Sequence, residues 1–188
     1  MHRLILMPAA LFALPLLIAG CDQASPPTAA LAGGLRAQAE ANRSDISVNI
    51  HDACDAATFN AAVGPGTCAR TGGMKFGQFI SELQKHQMVQ AWDFAPPGFQ
   101  ASVGQAIVAT NRGGETHTFT HVAEFGGGIV PFLNELSGNP NVAPECTTLE
   151  ADDFVAPGGT YTEPVNESGA QRFQCCIHPW MRTVAGVQ

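Results

Sequence analysis

Basic residues are scarce in this chain. Nine Lys and Arg stand against 16 Asp and Glu over 188 residues, a formal net charge of -7, so little positive charge is available to neutralise a row of phosphates. That excludes nucleic acid as a partner, and any electrostatic partner is expected to be basic. Charged residues of both signs reach only 13%, which excludes a charge-rich disordered chain. Long apolar runs are lacking too, because the stretch from Leu4 to Ala19 is too short to span a bilayer comfortably. Methionine-rich and histidine-rich tracts are absent, with five Met and six His in all.

What is present is a hydrophobic content of 45%, with 20 Gly and 13 Pro, the composition of a loop-rich globular protein in which a β-rich fold is expected. His2 and Arg3 precede the apolar run, so residues 1–20 read as a secretory signal peptide. The run ends in Leu17-Ile18-Ala19-Gly20-Cys21, which resembles the lipobox of bacterial lipoproteins and implies lipidation at Cys21. Residues 21–44, with Ser-Pro-Pro-Thr and Ala-rich sequence, show no hydrophobic period and are expected to be a flexible tether. The folded domain is expected over 45–188.

Six cysteines stand at 21, 54, 68, 146, 175 and 176, and an exported protein can oxidise them. Giving Cys21 to lipid leaves an odd number, so at least one thiol must be free, liganded or paired with another chain. Cys54 and Cys68 bracket a short helix-like run stopped by Gly64-Pro65-Gly66, and a local bridge is favoured there. A loop of about 15 residues closed in this way is worth roughly 3 kcal/mol. Cys146 then pairs with whichever of Cys175 and Cys176 is not a ligand, although four cysteines allow three connectivities.

Periodicity supplies the elements. Ile46 to Ile50 reads as a strand, and Phe76, Phe79, Ile80 and Leu83 recur at helical spacing. His86 lies beyond that stripe and His51 sits in a loop beside Asp52, so both are expected at the surface. Short strands then follow around Trp92 to Phe94, Phe99 to Val103 and Ile107 to Thr110, with a turn at Asn111-Arg112-Gly113-Gly114 before a strand through "ETHTFTHV". In that strand His117, Phe119 and His121 share one face. Residues 126–146 form a long irregular excursion, and Thr160 to Thr162 and Gln171 to Cys175 read as the last strands. Together these give an all-β, Greek-key β-sandwich with an N-terminal helical insertion.

The chemistry gathers near the end, in "QCCIHPWM". Strand alternation puts Phe173 and Cys175 on one face and Gln174 and Cys176 on the other, so Cys175 is expected to enter the core and Cys176 to serve in a bridge. From Cys175 the spacing runs Cys175-x2-His178-x2-Met181, which sets a thiolate, an imidazole and a thioether on one loop. With a second inward histidine, from His117 or His121, these are the ligand types of a blue-copper site, whereas zinc is more often held by four strong ligands.

The stretches "DFAPPGFQASVGQAIVATNRGGETHTF" and "GAQRFQCCIHPWM" resemble the cupredoxins, the family of plastocyanin, pseudoazurin and amicyanin. The resemblance implies a cupredoxin-like sandwich holding one type 1 copper, with His117, Cys175 and His178 as equatorial ligands, Met181 as the axial one, and His121 set aside. It also implies that Thr118 stands where many relatives have an asparagine bracing the ligand loop. The expected function is single-electron transfer between a donor and an acceptor redox protein, with His178 near the surface and Pro179 and Trp180 forming an apolar docking rim. No catalytic activity is expected, because Gln174 and Cys176 flank Cys175 where multicopper oxidases and copper nitrite reductases place histidine. A copper carrier or storage protein is the alternative, disfavoured by the missing Met-rich and His-rich tracts, and a copper oxidoreductase subunit is the less favoured one. A monomer on the periplasmic side of a bacterial membrane, attached only through its lipid, completes the expectation.

Overall fold

A computed structural model describes residues 44–188. The expected signal peptide, the lipidation at Cys21 and the tether before Ser44 lie outside the described residues. No described helix is long and apolar enough to cross a membrane.

Two four-stranded sheets make the body of the molecule, a mostly-β sandwich. In the first, β1 (Ile46–His51) lies between β2 (Asp93–Ala95), antiparallel to it, and β4 (Ala106–Asn111), parallel to it. β8 (Thr160–Pro164) closes the far edge against β4. In the second sheet the order is β3 (Gly98–Ala101), β10 (Arg182–Val187), β9 (Gly169–Gln174) and β6 (Thr120–Val122). A short pair, β5 (His117–Thr118) with β7 (Phe154–Val155), stands apart from both. Alternation explains the burial: Val48 and Ile50 in β1, Ile107 and Ala109 in β4, and Ala185 and Val187 in β10 turn into one apolar cluster. Phe94, Phe119 and Phe173 tie the sheets together, with Phe119 stacked on Phe173 at 4.6 Å and tilted against Phe94 at 5.2 Å.

Two sequence expectations need correction. "ETHTFTHV" is not one strand: β5 pairs with β7 through His117 and Val155, while β6 pairs with β9 through Thr120 and Gln174. The chain changes sheets at Phe119, so the inward face passes to Val122, and His121 is exposed although His117 and Phe119 are buried. The strands also do not end near Cys175, because β10 follows the ligand loop and lies inside the second sheet between β3 and β9. Its signal was legible in "RTVAGV", where Thr183, Ala185 and Val187 are buried and the residues between them less so.

The helical insertion holds two helices, α1 (Ala56–Ala62) and α2 (Phe76–His86), against the sandwich. Asp55 caps α1 by accepting the Thr58 N–H at 3.0 Å. Phe59 stacks on Trp92 at 5.8 Å and Phe79 meets the same indole at 4.8 Å, which seals the insertion onto the end of the sandwich that carries the candidate site. His86 is exposed, and His51 is half-buried with its Nδ1 2.9 Å from Asp93. The excursion over 126–146 is compact, with a third helix, α3 (Pro131–Leu136), and a 3-10 turn carrying Cys146. Gln174, wholly buried at the end of β9, anchors it by accepting the Gly126 N–H at 2.9 Å.

Candidate metal centre

β9 ends at Gln174, and Cys175 opens a loop that the backbone closes on itself. The Cys175 N–H donates to the Met181 carbonyl at 3.1 Å, and the Met181 N–H donates to the His178 carbonyl at 2.9 Å. Cys175 is wholly buried and is the free cysteine among the described residues. Its Sγ accepts backbone N–H groups from Thr118 at 3.5 Å and His178 at 3.4 Å. The Nδ1 atoms of two imidazoles converge on the same sulfur, His117 at 3.7 Å and His178 at 3.9 Å. The three ligand atoms lie within 4.8 Å of one another. Burial opposes ionisation of this thiol, but hydrogen bonds with His117 and His178 outweigh it and bring the thiol well below its ordinary range.

The other sequence-named residues fall around this core. Met181 is wholly buried in the apolar cluster that also contains Cys175. Thr118 braces the loop through its hydroxyl, which accepts the Cys176 N–H at 2.8 Å, while its own backbone N–H meets the sulfur. Cys176 turns into a separate small cluster and is bonded to Cys146, and Cys54 is bonded to Cys68. His121 stands away from the cluster, its exposed ring 5.2 Å from Phe173.

Pro179 and Trp180, expected to form an apolar docking rim, are largely covered. Pro179 is buried, Trp180 is half-buried, and His178 is only 3% exposed, because the insertion folds over the loop and sets Phe79 5.9 Å from Trp180. The ring of His178 instead faces a cavity of about 240 Å³ that Phe59, Phe76, Phe79 and Leu133 also line. Val63 and Phe132 share that lining and are 61% and 53% exposed.

Sequence reasoning missed two buried acids. Asp52, in the loop after β1, sets Oδ2 2.9 Å from His117 Nε2, and both are wholly buried at their side chains. Burial would raise this carboxyl, yet hydrogen bonds from His117 and from the Glu115 and Gly114 backbone hold it well below the ordinary carboxylate range. The same pairing acts on His117: burial pulls the imidazole down, and the bonds to Asp52 and Cys175 raise it to about 9. Glu115 lies 6% exposed with Oε2 2.7 Å from the Trp92 Nε1–H and 3.7 Å from His178 Nε2. Burial pushes its carboxyl up, against the pull of His178 and Trp92. Strand alternation could have flagged Glu115, which has the same parity as His117, since a buried carboxylate needs partners. Asp52 and Glu115 also group with Cys54, but the Cys54 sulfur is consumed in its disulfide.

Trp92→Phe keeps the aromatic packing and removes the hydrogen bond to Glu115. It is expected to cost roughly 1–3 kcal/mol, the penalty for stranding a buried acceptor, read as a lower urea midpoint at unchanged slope.

No family model matches this sequence, and no curated protein matches it. Solved structures do. A purple cupredoxin from Nitrosopumilus maritimus is 14% identical, with 77% of this chain and 100% of that one covered at a TM-score of 0.42. Oxidised plastocyanin from Dryopteris crassirhizoma is 16% identical over 76% of this chain and 99% of its own, at 0.38. A reduced Cu(I) form of an amicyanin mutant is 20% identical over 54% and 77%, at 0.36. These are likenesses of chain path alone.

Proposed function

We propose that this cupredoxin-like sandwich binds one copper ion through His117, Cys175 and His178, with Met181 as a weak fourth donor, and passes single electrons between a donor and an acceptor protein. The observation that carries this reading is a buried, unpaired thiol with two imidazole Nδ1 atoms at 3.7 and 3.9 Å. One soft sulfur and two imidazoles match a copper that cycles between oxidation states better than a zinc ion, which is usually held by four strong ligands. Copper bound here supplies a one-electron couple.

The chain's own residues do the rest. The two imidazoles bring the Cys175 thiol well below its ordinary range, which favours the thiolate, and complete burial of Cys175, His117 and Met181 excludes water from them. Backbone hydrogen bonds across the 175–181 loop tie its three donors into one turn. Glutamine and a disulfide-bonded cysteine flank Cys175, so neither neighbour offers a histidine for a second copper, and the reading is a carrier rather than an enzyme. Electrons would leave through the His178 edge toward the rim of Val63 and Phe132, with the acidic surface favouring a basic partner. Export to the periplasmic side and a lipid at Cys21 complete the proposal.

Adding Cu(II) to the purified full chain is expected to give an intense visible thiolate-to-copper band at one equivalent and a reversible one-electron wave. Colourless binding would point to carriage or storage, and turnover of oxygen or nitrite by the isolated chain would point to an enzyme; either result overturns the proposal.

A further inference from the structure

The insertion between β1 and β2 delivers a carboxylate to a ligand of the candidate centre, that of Asp52 at His117. Its two oxygens are fully committed. Oδ2 accepts the Glu115 N–H at 2.9 Å and lies 2.9 Å from His117 Nε2, and Oδ1 accepts the Cys54 N–H at 3.1 Å. The loop around it is tied down as well, by the Cys54–Cys68 disulfide and by the Arg70 guanidinium, which donates to the Asp52 carbonyl at 3.0 Å. Opposite this loop stand Gly113 and Gly114. A methyl group on Gly113 would overlap the Asp52 carboxylate and its backbone nitrogen, and one on Gly114 would crowd the Cys54 sulfur. The glycine pair therefore permits the close approach that brings the carboxylate to His117.

We propose that Asp52 is the positioning residue of this centre: it binds the Nε2–H of His117, aims Nδ1 at Cys175, and favours the more highly charged state of a bound copper. The metal part rests on the copper reading above; the Nε2–H contact does not. An imidazole whose Nε2 donates to a carboxylate turns its Nδ1 to the metal and becomes a more basic ligand. A fixed negative charge in a dry site stabilises Cu(II) over Cu(I), since the attraction grows with the charge on the metal and is little screened there. This gives the insertion a function beyond covering Trp92.

Asp52→Asn tests it in two ways. In the copper-free full chain, nitrogen-15 NMR is expected to show a slowly exchanging, strongly deshielded His117 Nε2–H in the natural protein and an upfield shift of that proton in the variant, where only a neutral amide oxygen accepts it. In the copper-loaded chain, Cu(II) affinity is expected to fall by about 10–100-fold and Cu(I) affinity by less, which raises the reduction potential by about 59 mV for each tenfold of the difference. Glu167→Gln, at an exposed carboxylate, removes the same charge and is expected to leave both readouts unchanged. A D52N chain that keeps the natural Nε2–H shift and the natural potential overturns the proposal, as does a natural chain with no protected Nε2–H. Should the natural chain bind no copper, only the earlier reading fails, and the NMR result still decides the Asp52 contact. If D52N does not fold, Gly113→Ala keeps the charge but displaces it, and an unshifted potential there overturns the proposal equally.

Discussion

Cys175→Ser is expected to abolish the visible absorption of the copper-loaded chain completely, while the paired change Cys146→Ala with Cys176→Ala leaves it in place. The two vicinal cysteines lie one residue apart and both are wholly buried, so proximity to His178 alone does not separate them. Their surroundings do. The Cys175 sulfur meets two imidazole nitrogens and two backbone N–H groups, all of which favour a thiolate, whereas the Cys176 sulfur is already bonded to Cys146. A serine hydroxyl does not ionise in this range, and it is a hard ligand where a soft one is needed. It can still accept the two backbone N–H groups, so the fold is expected to survive and far-UV circular dichroism to match the natural protein. Colour that persists in Cys175→Ser, or disappears in the double alanine chain, would refute the copper reading of this sulfur.

The second large effect is on stability. Removing the Cys146–Cys176 bridge by the same double alanine change is expected to lower the unfolding free energy by roughly 3–4 kcal/mol, because the cross-link spans 30 residues of chain and restrains the unfolded state accordingly. Removing Cys54–Cys68, which spans 14, is expected to cost about 0.7 kcal/mol less on loop length alone. Urea unfolding of the metal-free chains measures both. The longer bridge also carries a local burden: it pins the 3-10 turn of the excursion to the residue after Cys175, where the Ile129 N–H donates to the Cys176 carbonyl at 2.6 Å. A side chain on Gly128 would overlap that carbonyl, so Gly128 permits the close approach of the excursion to the ligand loop. An unchanged urea midpoint in the double alanine chain would mean that this contact, and not the cross-link, holds the excursion down.

How much of this could be read in advance depends on the range over which each signal acts. Alternation within a strand depends only on the direction of successive Cβ atoms, so the inward positions of β1 and β4 and the helical stripe of Phe79 and Leu83 were legible from local sequence. The same rule misled at His121, because it assumes that a strand keeps one partner, and the exchange from β7 to β9 at Phe119 is invisible locally. Likewise the spacing of Cys175, His178 and Met181 is a property of one loop, but the cover over His178 comes from Phe79, about a hundred positions earlier in the chain.

Composition, periodicity and the arithmetic of six cysteines therefore determine the class of this protein: a loop-rich, disulfide-capable sandwich with soft and imidazole donors at its C-terminal end. Only the tertiary structure decides how those donors are held. It places Asp52 on His117 and Glu115 between Trp92 and His178, and it covers Pro179 while leaving Val63 and Phe132 exposed. The physical reason is that a buried charge is tolerated only where partners from distant segments converge on it, and no local pattern records which segments those are.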